Sequence, residues 1–193
     1  MPKRQTAFAA EMPNLWLVSD ARNDEVLDRA LRRLPRGFGL IFRHYHLAAA
    51  QRRRRFAALM RIARQRRHVV ALAGTCAEAR LWGADAAYGS PRQIARGPAL
   101  LRLAAVHDLR EIGAANRGRA DAVLLSPAFS TRSHPGARAL GPARFRLLGS
   151  RSQSPVIALG GMSLRRARRL AWPRWAAIDG LCGELNLRIP KDS

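Results

Sequence analysis

Short apolar runs alternate along the chain with longer segments in which apolar residues recur every three or four positions. The short runs are typical of strands buried on both faces, and the longer segments are typical of amphipathic helices. Eight strands are expected, at residues 15–19, 38–42, 69–73, 84–88, 103–106, 122–125, 156–159 and 176–181.

A helix is expected after every strand but the last, at residues 24–34, 47–66, 75–82, 94–102, 109–116, 142–148 and 164–171. Strict alternation indicates parallel strands joined by right-handed crossovers, and eight such units close into a single (β/α)₈ TIM barrel. The competing architecture is a doubly wound open sheet, but no GxGxxG pattern follows the first strand. We therefore expect the barrel, although the chain falls just below its usual size range.

A length of 193 residues fits one domain, with an N-terminal tail over residues 1–13, the barrel over 14–183 and a C-terminal tail over 184–193. No apolar run approaches the roughly 20 residues of a membrane span, and the N-terminal apolar stretch is too short for a signal peptide. The two cysteines, Cys76 and Cys182, have no metal-binding spacing and suggest free thiols. These features predict a cytoplasmic protein with no membrane partner.

The net charge of the chain indicates which class of partner to expect. The chain has 35 Lys and Arg against 13 Asp and Glu, a formal net charge of +22, and nearly all of the positive charge is arginine. Anionic partners are therefore expected, namely phosphates, nucleic acid or an acidic membrane surface. The arginine runs at 52–55 and 165–169 lie within predicted helices, where they would cover the solvated face. Nucleic acid binding would require one continuous arginine stripe, ideally with aromatic side chains for stacking, so a small phosphate ligand is favoured.

Candidate chemistry concentrates in the loop after the sixth strand, within residues 120–141. Ser126, Thr131 and Ser133 could donate hydrogen bonds to phosphate, and His134 could supply a cation. The alternative is that these hydroxyl groups form hydrogen bonds only within the turn and contact no ligand.

Three further sites should face the same end of the barrel, because the carboxyl ends of parallel strands meet there. Gly160 and Gly161 end the seventh strand and would let backbone amides approach an anion, or would only form a tight turn. Arg43 follows the second strand and could bind phosphate. His107 follows the fifth strand and could transfer protons, or could cap a helix. We expect a phosphate site at this mouth.

The run AVHDLREIGAANRGRADAVLLSPAFSTRSHPGARALGPARF, followed by PVIALGGM, resembles the thiamine phosphate synthase family and its sister, the thiazole tautomerases. A weaker resemblance extends over residues 15–182 and includes the opening LWLVSD. It implies a (β/α)₈ barrel in thiamine biosynthesis. Synthases join a pyrimidine methyl pyrophosphate to a thiazole phosphate with magnesium, releasing pyrophosphate.

Departures from the family pattern fall in the pyrophosphate and magnesium half of the site. Synthases carry Gln-x-Arg-x-Lys after the second strand, where this chain has Ile41-Phe42-Arg43-His44-Tyr45 and keeps only the arginine. They carry Asn-Asp after the third strand, with the aspartate on magnesium, where this chain has Ala73-Gly74. The resemblance thus implies Mg²⁺ as a cofactor whose expected ligands are missing. Asp20, Asp85 or Asp108 could replace them, but such carboxylates more often cap helices.

Three functions stay open. The first is a synthase-type transferase with a remodelled pyrophosphate site. The second is a metal-independent, tautomerase-like isomerase, and His107 and His134 are the candidate catalytic residues. The third is a non-catalytic binder of phosphorylated ligands or nucleic acid. The sequence does not decide the substrate, the turnover or whether the chain forms a homo-oligomer.

Overall fold

The computed structural model describes residues 12–131, 136 and 138–181. Eight parallel strands follow one another in chain order and close into a barrel, because β1 pairs with both β2 and β8. The strands are β1 Leu15–Val18, β2 Gly39–Phe42, β3 Val69–Ala73, β4 Ala86–Gly89, β5 Leu101–Val106, β6 Ala122–Leu125, β7 Val156–Ala158 and β8 Trp175–Ala177. The predicted (β/α)₈ barrel is confirmed.

Each of the first seven strands is followed by a helix of the same number. The helices are α1 Asp24–Arg33, α2 Ala49–Gln65, α3 Cys76–Leu81, α4 Pro91–Ile94, α5 Leu109–Arg117, α6 Gly141–Gly149 and α7 Leu164–Leu170, and a 3₁₀ turn at Ala21–Asn23 precedes α1.

Most predicted boundaries agree with the observed ones within a few residues, but the fourth helix was predicted wrongly. Residues 94–102 were expected to be helical, whereas α4 is a single turn over Pro91–Ile94. Gly97, with a φ of +116°, and Pro98 interrupt the expected helix. Pro98 also has no N–H to donate, so the chain runs on as a loop into β5.

The barrel interior is filled by alanines, by larger aliphatic side chains and by one tryptophan. Trp16 on β1 is fully buried, and its indole N–H donates to the Pro13 carbonyl at 2.9 Å. A Cβ atom on Gly39, the neighbouring position of β2, would overlap the Trp16 ring. The absence of a side chain at Gly39 therefore leaves room for the Trp16 ring. This ring fills the interior near the amino-terminal ends of the strands, and a cavity lies at the other end of the barrel.

The first residues after several strands are used to begin the next helix. The Asp20 side chain accepts a hydrogen bond from the Arg22 amide, and Asp108 accepts one from the Glu111 amide at 2.8 Å. Asp85 lies at the opposite end of the barrel, before β4, where it accepts the Val70 amide at 2.8 Å. Capping, rather than metal binding, thus accounts for Asp20 and Asp108, and Asp85 does not face the mouth.

In the described part of the chain, no helix has the length and apolar character needed to cross a bilayer. The Cys76 thiol is buried and donates to the Ile94 carbonyl at 3.4 Å. Cys182 lies outside the described residues.

Candidate functional site

A cavity of about 360 Å³ opens at the carboxyl ends of the strands. Residues following five different strands meet there, and they include most of the predicted site: Arg43, His107, Ser126, Thr131, Gly160 and Gly161. The other two predicted site residues, Ser133 and His134, fall outside the described residues. The expectation that Ser126 and Gly160 share one end of the barrel is met.

The Gly160–Gly161 turn packs against the loop after β6 more closely than any side chain would allow. Gly160 has a φ of +92°, and a Cβ atom there would come within 2.7 Å of the Pro127 Cα. Gly161 has a φ of +62°, and a Cβ atom there would overlap the Ser130 carbonyl oxygen. Backbone hydrogen bonds hold the two segments together: Ala128 donates to Leu159 at 2.8 Å. The turn and the loop are therefore held in close backbone contact at the rim of the cavity.

Arg166 is a cation at this rim that the sequence analysis missed. Its guanidinium donates to the Gly161 carbonyl at 2.5 Å and to the Ser130 carbonyl at 3.4 Å. The guanidinium also lies over the Phe129 ring, 5.5 Å from its centroid. Arg166 belongs to the run at 165–169 that was expected to lie on a solvated face, and its side chain is indeed exposed, but it also contacts the turn and the loop at the rim.

A buried hydrogen-bond network positions Arg43. The Ser19 hydroxyl accepts the Arg43 amide at 2.8 Å and bonds His44 Nδ1 at 2.7 Å, while His44 Nε2 lies 2.8 Å from Asp24 Oδ1. Burial lowers the pKa of His44 even though Asp24 acts in the opposite direction, so the neutral imidazole is favoured. The Nε2–H form then donates to Asp24 and accepts from Ser19.

The side chain of Arg43 lies between a carboxylate and an aromatic ring. Its Nη2 is 3.6 Å from Asp20 Oδ2, and its guanidinium lies 5.6 Å from the centroid of Tyr45. Arg43 is therefore held at the edge of the cavity, with its charge facing the ligand space.

Tyr88 supplies a polar group at the base of the cavity. It ends the inward-facing side of β4 and is 8% exposed. Burial raises the pKa of Tyr88 to about 12, so its hydroxyl remains protonated and can donate a hydrogen bond. Tyr88 stands where the family pattern has a histidine, and nothing local in the sequence shows that a cavity lies above it.

His107 is held by a carboxylate on the following helix. Glu111 Oε2 accepts the His107 amide at 2.7 Å and lies 2.8 Å from His107 Nδ1. With its Nδ1 proton shared with Glu111, the imidazole presents Nε2 as a proton acceptor. Asp108 caps α5, so capping is not the role of His107.

The end of β3, where the family resemblance places a magnesium ligand, does not fit a divalent cation. Arg52 reaches it from α2: Nη2 donates to the Ala73 carbonyl at 2.6 Å, and Nη1 lies 3.3 Å from Glu78 Oε1. Arg52 Nε also donates to the Arg43 carbonyl at 2.9 Å. Gly74 offers no side-chain ligand, and a Cβ atom there would overlap the Glu78 carboxylate. A guanidinium cation thus takes the place in which a metal ion would be expected.

One group of histidine and acidic side chains among the described residues is compact enough to share a metal ion. The ligand atoms of Asp24, His44 and His46 all lie within 4.8 Å of one another. However, Asp24 Oδ1 already accepts from Arg55 Nε at 2.7 Å and from His44. Magnesium prefers oxygen ligands, and this set offers two imidazoles beside a guanidinium. The group therefore serves the network around Arg43 and is a poor magnesium site.

Solved structures with the same fold include two thiamine phosphate pyrophosphorylases. The one from Pyrococcus furiosus is 21% identical, with a TM-score of 0.76 over 94% of this chain and 92% of that chain. The one from Bacteroides thetaiotaomicron is 14% identical, with a TM-score of 0.58 over 94% of this chain and 90% of that chain. An HpcH/Hpal aldolase/citrate lyase family protein from Burkholderia cenocepacia is also 14% identical, with a TM-score of 0.59 over 94% of both chains. At these identities the likeness shows the fold alone.

No curated protein matches the chain significantly. The family model for thiamine monophosphate synthase matches residues 15–182, which include every strand of the barrel and both glycines of the mouth. This match covers most of the chain and agrees with the motifs after β6 and β7. The chain therefore belongs to the thiamine monophosphate synthase family.

Proposed function

We propose that the mouth cavity binds a phosphorylated small molecule of the thiazole-phosphate type, as part of thiamine biosynthesis. The observation that carries the proposal is the close packing of the Gly160–Gly161 turn against the loop after β6. Ser126, Thr131, Gly160 and Gly161 line this part of the cavity, and the hydroxyls and backbone amides of such residues are suited to phosphate oxygens. Arg166 and Arg43 add positive charge on either side.

The remainder of the ligand would lie deeper in the cavity. Tyr88, Met162, Ala176 and Ile178 line this region and present mainly apolar surface. An aromatic heterocycle fits such a wall, and the Tyr88 hydroxyl offers one hydrogen bond to orient it. The cavity thus suits a small ring that carries a phosphate at one end.

Joining this ligand to hydroxymethylpyrimidine pyrophosphate is the family reaction, and we expect it to be slow or absent here. Departure of pyrophosphate requires fixed positive charge or a metal ion to neutralise the developing negative charge. At the end of β3, Arg52 supplies a cation, but its hydrogen bonds to Ala73 and Glu78 already occupy it. A guanidinium also cannot reproduce the coordination geometry of a metal ion.

A metal-independent isomerase of the tautomerase type is the second candidate. The observation that favours it is the His107–Glu111 pair at the cavity. In such a reaction His107 Nε2 would remove a proton from one ligand atom and return it to another, so the ligand's composition is unchanged. Glu111 would hold the ring in one orientation and stabilise the transient imidazolium.

Two measurements test these proposals together. Calorimetric titration with thiazole phosphate should show binding that does not require Mg²⁺, and its absence in the folded protein would overturn the ligand assignment. A turnover assay with both synthase substrates, with and without Mg²⁺, should show little product. A synthase rate of about 1–10³ s⁻¹, ordinary for enzymes, would show that the pyrophosphate half is intact.

His107→Ala separates the remaining alternatives. An isomerase should lose most of its activity while keeping its affinity for thiazole phosphate. If the wild-type protein binds the ligand but converts neither it nor the synthase substrates, the chain is a non-catalytic binder of phosphorylated ligands.

A further inference from the structure

Among the described residues, arginines outnumber carboxylates most strongly at the end of the barrel opposite the cavity. Helices of a β/α barrel run antiparallel to the strands, so their last turns and the loops into the next strands lie together at that end. We call this surface the amino-terminal face. Its exposed arginines include the following residues of α1, α2, α5 and α7 and of the loops that follow α1, α2, α5 and α6: Arg32, Arg33, Arg36, Arg67, Arg117, Arg119, Arg151, Arg168 and Arg169.

Acidic residues do not balance this charge. Among the described residues, only Asp85 and Asp121 belong to the amino-terminal face. Asp85 accepts the Val70 amide at 2.8 Å and pairs with Arg64, and Asp121 accepts the Arg102 amide at 2.8 Å. The other described carboxylates lie towards the mouth: Asp20, Asp24, Glu25, Asp28, Glu78, Asp108, Glu111 and Asp179. The molecule is therefore electrically polarised along the barrel axis.

Stabilisation of the helix ends accounts for only part of this charge. Arginines commonly satisfy the last carbonyls of helices. Here that role belongs to a separate set: Arg66 donates to Leu34 at 2.8 Å, Arg64 to Gly83 at 3.0 Å and Arg146 to Leu170 at 2.8 Å. The arginines of the amino-terminal face named above are additional to this set, and their side chains are exposed, so an outside partner of opposite charge can contact them.

We propose that the amino-terminal face binds the phosphate backbone of duplex nucleic acid without reading its sequence. Arginine presents a planar fork of donors that matches phosphate oxygens, and a duplex offers a dense row of them. Single-stranded binding would use exposed aromatic rings for stacking. The nearest tryptophan, Trp172, instead packs against Phe145 at 5.3 Å and donates to the Val156 carbonyl at 2.8 Å.

An acidic membrane surface fits these observations less well. Stable binding to lipid commonly combines basic residues with an inserted apolar group. The exposed large apolar side chains of the described chain are Tyr45, Leu81, Leu109 and Leu147. Of these, Leu81 and Leu147 lie towards the amino-terminal end, but α3 and α6 are not neighbours in the barrel, so the two leucines form no patch. A phosphate backbone, which requires no insertion, is favoured.

Two quadruple variants of the full chain test the location. The face variant carries Arg33→Gln, Arg36→Gln, Arg168→Gln and Arg169→Gln. The matched control carries Arg53→Gln, Arg54→Gln, Arg92→Gln and Arg110→Gln, which are exposed arginines away from the amino-terminal face. Both variants lose the same net charge. Fluorescence anisotropy with a labelled duplex of mixed sequence, at several salt concentrations, gives affinity and its salt dependence.

The wild-type protein should bind the duplex with similar affinity whatever its sequence. In the face variant the slope of log K against log salt should fall by about 3 to 4, since each phosphate contact contributes about 0.9. The control should keep most of the wild-type slope. Equal losses in the two folded variants, no saturable binding at low salt, or tighter binding to phosphatidylserine vesicles than to the duplex would overturn the proposal. Thiazole phosphate affinity should be unchanged in the face variant, which separates this surface from the mouth.

Discussion

Gly161 occupies the point at which the two loops of the candidate anion site meet. Gly161→Ala should force the Ser130 carbonyl and Arg166 to move, because the new Cβ atom would overlap the first and come within 2.8 Å of the second. Losing one charge-assisted hydrogen bond costs about 1.5–3 kcal/mol, so the affinity for thiazole phosphate should fall at least about tenfold. Calorimetric titration measures this change.

Gly83→Ala is the matched control for that substitution. Gly83 has a φ of +77°, and nothing lies within 4 Å of a Cβ atom there. Gly83→Ala should therefore produce similar backbone strain without changing the affinity for thiazole phosphate. Equal affinities in folded Gly161→Ala and wild-type protein would rule out the turn as the anion site.

Gly74 is the residue at which a magnesium ligand is missing, and restoring a carboxylate should not restore the metal. In Gly74→Asp the new side chain would compete with Glu78 for space and pair with the Arg52 guanidinium. Titration calorimetry should therefore detect no gain in Mg²⁺ affinity over the wild-type protein. The double variant Gly74→Asp, Arg52→Gln removes the competing cation and should bind Mg²⁺ more tightly than the single variant. Strong Mg²⁺ binding by Gly74→Asp alone would contradict this account of the β3 end.

At the scale of elements, the sequence predicted the strands well because burial on both faces leaves a simple signal. β3 and β6 have the predicted boundaries, and the other strands differ by a few residues. Helix α4 was missed because apolar residues around 94–102 suggested a helical stripe, while Gly97 and Pro98 decided the local backbone. The backbone preferences of Gly97 and Pro98 therefore outweighed the helical spacing of the apolar residues.

The sequence predicted the motif residues of the candidate site but not the side chains that orient them. Motif residues after strands are brought together by the fold itself, so Ser126 and Gly160 could be placed in advance. The groups that orient them depend on contacts between elements, such as the bond between His44 and Asp24 or between Arg166 and Ser130. Neither the periodicity of apolar residues nor the spacing of motifs specifies which side chain of one element will hydrogen-bond to a neighbouring element.

The barrel interior gives a prediction at the element scale. Gly39→Ala in β2 should force the Trp16 ring to move within a packed interior, and overpacking of this kind costs about 1–3 kcal/mol of unfolding free energy. Urea denaturation followed by tryptophan fluorescence measures the loss. Gly113→Ala on α5 is the control: its Cβ atom would meet only the flexible end of Arg117, so it should be neutral or stabilise by up to about 1 kcal/mol. Equal stability of Gly39→Ala and wild type would show that Trp16 is placed differently.

At the scale of the whole molecule, the two ends of the barrel have different chemistry. Carboxylates at the mouth are paired with arginines, as in the contacts of Asp20 with Arg43 and of Asp24 with Arg55, so part of the positive charge there is neutralised. The amino-terminal face carries the excess charge, which a net charge of +22 alone does not locate. The polarisation arises because every helix has arginine in its last turn, whereas acidic residues occur in the first turns of α1, α3 and α5, and all the helices point the same way.

The last prediction concerns the stability of the whole chain against acid. His68 is buried where α1, β2 and β3 meet: its Nδ1 accepts the Phe38 amide at 3.2 Å, and its Nε2 donates to the Leu31 carbonyl at 3.0 Å. Burial lowers the pKa of His68 from its ordinary 6.5, so the unfolded chain binds the proton more readily. The free energy of unfolding should therefore be fully maintained above pH 6.5 and fall as the pH drops below it, with His44 contributing in the same direction.

The variant His68→Gln tests this prediction, because a glutamine side chain can accept and donate hydrogen bonds but does not titrate. Urea denaturation of this variant at several pH values should show a shallower fall in the free energy of unfolding over this range. An unchanged slope in His68→Gln would show that His68 does not sense the pH.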